Sequence, residues 1–159
     1  MTPGPDDLRN SVEEMWAGLV GSDLAADATP NAADPPGRYL SACCQITGGW
    51  TGAFTIDMPY DLAVAVTATM FGSEPDGVIA EEVNDAIGEL ANVAGGMLKG
   101  LLAVDCALGL PTMFEGTGFV VRIPGAVVGS ETAWTCDGHR VLARLHVPQA
   151  AIGIAADAA

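Results

Sequence analysis

The stretch "NDAIGELANVAGG", residues 84–96, sets Asp85, Glu89 and Asn92 at positions i, i+4 and i+7. At 100° per residue these three form one line over two helical turns. Glu89 and Asn92 then offer an anion and a neutral amide about 5–6 Å apart, a spacing suited to gripping a cation and a water at once. A line of this kind is ordinarily no more than the solvated side of a helix. Its neighbours set this one apart. Asn92 is a poor helix former, and Gly88, Gly95 and Gly96 lie close by, each glycine costing up to about 1 kcal/mol relative to Ala. Small neighbours lower the profile around Glu89 and Asn92, so that another macromolecule can close over both.

The row needs a long helix to carry it, and the periodicity predicts one from about residue 81 to 103. Ile79, Val83, Ala86, Ile87, Leu90, Ala94, Met97, Leu98 and Leu101 share roughly a third of its circumference. Asp85, Glu89, Asn92, Gly96 and Lys99 fall on the other side. Two further helices are expected, over residues 5–21 with Pro5 and two acids at its start, and over residues 59–72 between Pro59 and Gly72. The second is apolar nearly all round and should be well buried. Residues 21–37 are small, Pro-rich and acidic, and read as a flexible loop with at most a short edge strand.

Strands are expected in "RYLSACCQITGGWTGAFTIDMP", joined at Gly48 and Gly49, and in "LPTMF", "GFVVRI", "AVVG", "ETAWTC" and "HRVLARLHV". The last two flank Asp137 and Gly138, the strongest short-range hairpin signal in the chain. These elements predict an α/β two-layer sandwich: a mainly antiparallel sheet of about six strands with one long helix and two shorter ones. Residues 1–150 read as a single domain, followed by a weakly structured tail over 151–159.

Composition narrows the partners. Twenty acids against six bases give a formal net charge of −14, and no basic patch is present. That argues against nucleic acid or an anionic membrane, both of which are bound by neutralising phosphates. Cys43, Cys44, Cys106 and Cys136 form no C-x-x-C pair and read as free thiols in a reducing compartment. No secretory signal is visible at the start, and the longest apolar helix contains Asp85, Glu89, Asn92 and Lys99, so a soluble cytoplasmic protein is expected. His139 and His146 lie on opposite faces of the last strand and read as strand-surface residues without a zinc-ligand partner. Arg140, Arg144 and His146 share a face with Leu142, a solvated face or part of an interface. The lone G-x-G in "EGTGFVVRIPG" precedes a strand and reads as a turn.

The run from Asp85 to Asn92 resembles the D/S-x3-E-x2-N motif of the CheC/CheX/FliY family of chemotaxis phosphatases. The likeness extends to "GGWTGAFTIDMPYDLAVAVTATMFGSEPDG", to "GLPTMFEG" with its characteristic proline, and to the closing "ETAWTCDGHRVLARLHV". The motif occurs once, which favours the single-site CheX-like branch over the two-site CheC-like one. One departure is the connection between Asn92 and Pro111, shorter than the family pattern.

The resemblance implies a CheX-like sandwich and a hydrolase acting on the aspartyl phosphate of a CheY-type response regulator. It implies that Asn92 orients the attacking water and that Glu89 engages the regulator's active-site lysine. Asp85 takes the outer position of the motif, and Gly96 and Pro111 are supporting positions. It further implies that the chain binds no cofactor of its own, Mg²⁺ being supplied by the regulator, and that a homodimer can form through sheet edges. A regulator-binding or scaffold module without useful hydrolysis is the alternative. A flagellar rotor component of the same fold would need rotor-binding segments that this chain does not show.

Overall fold

Two tight turns set the sheet. β6 (Ala126–Cys136) and β7 (His139–Pro148) meet at Asp137 and Gly138, which take φ values of 49° and 78°. Asp and Gly tolerate this left-handed conformation, and its twist matches that of an antiparallel ribbon. β2 (Tyr39–Gly48) and β3 (Gly52–Pro59) form the other hairpin. Gly48 there has φ 122°, and a Cβ on it would lie 2.7 Å from the Asp105 carbonyl oxygen, so the turn requires glycine. The coordinates are a computed structural model and describe residues 2–27, 29 and 34–150. The expected tail and the tip of the 21–37 loop lie outside the described residues.

With β1 (Ala25–Ala26), β4 (Cys106–Leu108) and β5 (Thr112–Gly116), the hairpins make a seven-stranded antiparallel sheet. Its order is β1-β6-β7-β3-β2-β4, with β5 also on β2. The helices α1 (Pro5–Leu19), α2 (Tyr60–Phe71) and α3 (Ala80–Gly100) cover one face. Alternate residues of the central strands, among them Ala42, Cys44, Phe54, Ile56, Ala143 and Leu145, join Val12, Trp16, Leu62, Ile87, Leu90 and Leu98 in one buried core. This is the α/β sandwich predicted from the sequence, with three helices.

Three local predictions need correction. "GFVVRI" forms no strand; "AVVG" and "ETAWTC" are instead one strand, β6, kinked where its register shifts between Val128 and Ser130. A Cβ on the intervening Gly129 would lie 2.7 Å from Val147 Cγ1, so the kink sits where the partner strand leaves no space. α3 ends at Gly100, short of residue 103. There the amides of Leu101 and Leu102 turn to carbonyls three residues back, on Leu98 and Lys99, at 3.1 Å. Leu101, at the far end of the predicted apolar stripe, is therefore exposed, and Ile79, which caps the helix at its start, is exposed as well.

The sheet's other face carries no helix, yet Ser41, Cys43, Thr55, Leu142 and His146 on it are buried. Residues 117–121 and 34–37 line hollows over this face beside Asp57 and Arg144. All four cysteines are free, and burial pushes the thiols of Cys43 and Cys44 up to about 11. No helix among the described residues is long and apolar enough to cross a membrane.

Candidate functional site

α3 is fixed at its start by the Glu82 carboxylate, which accepts a hydrogen bond from the Ile79 amide at 3.2 Å. Glu81 and Glu82 both stand in the first turn, where the helix dipole favours negative charge. Val83, Ala86, Ile87, Leu90, Ala91, Ala94 and Leu98 are buried on one side. Asp85, Glu89 and Asn92 are exposed on the other. Among the described residues, none hydrogen-bonds or ion-pairs with any of these three side chains.

They line an open groove of about 370 Å³ together with Asn84 and Gly88, and its opposite wall is Leu110, Pro111 and Met113. The wall comes from an interruption in an edge strand. β2 pairs with β4 along residues 46–48 and with β5 along residues 39–43. Between them, residues 109–111 step out of the ladder opposite Cys44 and Gln45. The Gly109 amide donates to the Gln45 carbonyl at 2.7 Å and pins the step. Pro111 has no amide to offer a ladder, which suits a break in an edge strand.

The step lands on the helix. A Cβ on Gly88 would lie 3.4 Å from Pro111 Cβ and 3.9 Å from Met113 Sδ, and one on Gly95 would lie 3.2 Å from Leu108 Cδ1. Both glycines are buried. This corrects the sequence-based reading of them. Gly88 and Gly95 do not lower an open surface around the polar row; they let β4, Pro111 and β5 approach the helix and form the groove's far side. Gly96 stands one turn beyond Asn92, 3.9 Å from Leu108 Cδ2 by the same measure, and does not line the groove.

Of the predicted site residues, the structure thus brings Asp85, Glu89, Asn92 and Pro111 into one groove and leaves Gly96 outside it. Asn84, Leu110 and Met113 were not anticipated as lining residues. A leucine displayed between Gly109 and Pro111 was the available signal for Leu110. Chemically, the groove presents two carboxylates, of Asp85 and Glu89, and two side-chain amides, of Asn84 and Asn92, beside an apolar wall. Such a surface can accept a cation and position a water.

The other polar clusters are paired within the fold. His146 is buried, not a strand-surface residue, and its Nε2 lies 3.1 Å from the Thr55 hydroxyl. Burial, with the Arg144 charge adding to it, lowers its pKa. Arg144 donates to Asp57 Oδ2 at 2.9 Å and to Glu131 Oε2 at 2.6 Å, and Arg140 pairs with Asp27 and Asp34. The face that these arginines share is therefore a paired network and not a solvated one. Burial raises the pKa of Asp57, with the Asp34 charge adding to it, only partly opposed by the Ser41 hydroxyl on the neighbouring strand and by Arg144. Gly118, in the lone G-x-G, takes φ 64° in a bend, as a turn requires. Among the described residues no three His, Cys, Asp or Glu side chains group as metal ligands.

Residues 40–134, which include the whole groove, match the family profile described as chemotaxis phosphatase CheX. No curated protein matches the chain by sequence. Among solved structures, the chain is similar to CheX in the CheX–CheY–BeF3–Mg complex of Borrelia burgdorferi, with TM-score 0.73 and 14% identity over 94% of this chain and 100% of that one. It is similar to the chemotaxis protein CheX of Desulfovibrio desulfuricans, with TM-score 0.71 and 17% identity over 89% and 97% of the two chains. It is also similar to CheX of Vibrio vulnificus, with TM-score 0.70 and 21% identity over 89% and 93%. At these identities the likeness speaks for the fold.

Proposed function

The chain belongs to the CheX family of chemotaxis phosphatases, and from that premise we propose that it hydrolyses the aspartyl phosphate of a CheY-type response regulator. The observation that carries the reading is the exposed row Asp85–Glu89–Asn92, without hydrogen-bond or ion-pair partners among the described residues and set in a groove within the family-matched segment. The solved Borrelia relative is complexed with CheY, BeF3 and Mg²⁺, which supports a receiver domain as the partner. The functional unit is the single domain of residues 1–150.

In this mechanism the phosphorylated aspartate, the Mg²⁺ and a lysine all belong to the regulator, and α3 supplies what they lack. The Glu89 carboxylate meets the lysine ammonium and fixes the register of docking, a role that needs its charge. The Asn92 amide then holds a water in line with the phosphorus. An acyl phosphate is already reactive, so positioning that water supplies much of the required rate. A neutral amide suits the task because a carboxylate would set negative charge beside the phosphoryl oxygens. Asp85 stands one turn earlier and extends the acidic docking row.

The test is the lifetime of phosphorylated CheY-type regulators with and without the protein. The wild-type chain is expected to shorten it, and Asn92→Ala to lose roughly 10²-fold of that acceleration, the scale of one lost positioning contact. A wild-type chain no faster than Asn92→Ala would overturn the proposal. Retained binding with no acceleration would leave a docking module instead.

A further inference from the structure

Leu110 is 90% exposed, more than any other large hydrophobic residue among those described. A single exposed leucine is ordinary on a protein surface, but this one is held in place. The Gly109 amide is bonded to Gln45, Pro111 rests on Gly88, and Met113 packs against the core. The step in the edge strand therefore presents Leu110 from a fixed platform, across the groove from Glu89 and Asn92.

We infer that Leu110 is the apolar docking contact for the response regulator, seating against a nonpolar side chain at the rim of the regulator's phosphorylation site. The inference rests on the phosphatase reading and adds to it the residue that supplies affinity. Charge alone gives the row Asp85 and Glu89 a cationic partner, but exposed charges are screened and bind weakly. One desolvated apolar anchor beside them makes a specific interface, and the pattern of acid row plus apolar knob demands a surface that pairs a cation with an apolar neighbour. Leu110 offers no polar atom to the reacting groups. Its contact is the same before and during hydrolysis, so it lowers KM and leaves kcat unchanged.

The test titrates the purified chain against the organism's CheY-type receiver domains loaded with beryllofluoride and Mg²⁺. It also follows turnover on the same domains phosphorylated by a small-molecule phosphodonor. Leu110→Ser is expected to raise both Kd and KM about tenfold, the effect of losing one buried aliphatic contact, with kcat within twofold of wild type. Leu110→Met should restore both constants, and the melting temperature should not move. A Leu110→Ser protein whose Kd stays within twofold of wild type, or whose kcat falls at constant KM, overturns the inference. A wild-type chain that binds but does not hydrolyse defeats the phosphatase reading while the Kd comparison still decides Leu110. A chain that binds no receiver domain defeats both.

Discussion

Pro111 rests on Gly88: a Cβ placed on that glycine would lie 3.4 Å from Pro111 Cβ and 3.5 Å from its Cγ. These are ordinary contacts for a methyl group and leave space for nothing larger. Gly88→Ala should therefore fold, keep its activity and gain up to about 1 kcal/mol from better helix propensity. Gly88→Leu has to push the Pro111 step off the helix, at about 1–3 kcal/mol of overpacking. Activity should fall further than stability, with kcat/KM on phosphorylated regulator down by more than about tenfold. Thermal melts beside kinetics on both variants check this. An active Gly88→Leu protein would show that the position of the wall does not matter.

Glu89 and Asn92 have different tasks in the proposed mechanism, and conservative changes separate them. Asn92→Asp keeps the shape and adds a charge beside the phosphoryl group, so kcat should fall about 10²-fold with little change in KM. Glu89→Gln removes the charge that meets the lysine, so KM should rise. The wild-type KM should also rise with salt, because exposed pairs are screened over about 10 Å at 0.1 M, and Glu89→Gln should flatten that dependence. Equal salt slopes in the two proteins would remove Glu89 from docking.

The network on the helix-free face predicts an asymmetry in stability. Arg144 holds both Asp57 and Glu131, and its side chain is 30% exposed against 23% for Asp57. Removing it by Arg144→Met strands the Asp57 carboxylate in a site that already disfavours its charge, and should cost about 2–3 kcal/mol, toward the low end for a partly exposed pair. Asp57→Asn removes that charge while Arg144 keeps Glu131, and should change stability by less than about 1 kcal/mol. Urea unfolding of the two variants decides it; equal losses would mean that Asp57 gains as much from the pair as it loses by burial.

The parts of this fold legible in the sequence rest on local rules. Asp137 and Gly138 announce a turn because their backbone conformation is permitted to few residues, and the stripe from Val83 to Leu98 announces a helix because burial repeats every 3.6 residues. The polar row was legible for the same reason, although its proposed roles came from family resemblance and not from spacing. What was not legible depends on distant partners. "CAL" is too short to carry an alternating pattern and becomes β4 only because residues 46–48 of β2 offer it an edge. The purpose of Gly88 and Gly95 appears only when β4 and Pro111 lie on them. His146 looked like a surface residue because nothing in its own strand reveals that residues elsewhere bury the helix-free face.

That burial gives His146 a pH signature. Desolvation first, and the Arg144 charge second, lower its pKa from the ordinary 6.5, so the fold favours the neutral imidazole. Above 6.5 neither the folded nor the unfolded chain protonates it, and its contribution is fully present. As pH falls below 6.5 the unfolded chain takes up a proton that the folded chain refuses, and stability is lost until the folded pKa is passed. Asp57 acts in the opposite sense: its raised pKa favours the protonated form in the fold, so acid recovers stability as pH falls through its folded value toward 3.8. The two windows differ, one opening just below 6.5 and the other closing near 3.8. The melting temperature should therefore drop on the way down from pH 6.5, and His146→Gln, which can still reach the Thr55 hydroxyl, should flatten that first decline. Difference melts of the two proteins from pH 8 to 4.5 test the assignment. An identical slope in both would place the acid sensitivity elsewhere in the chain.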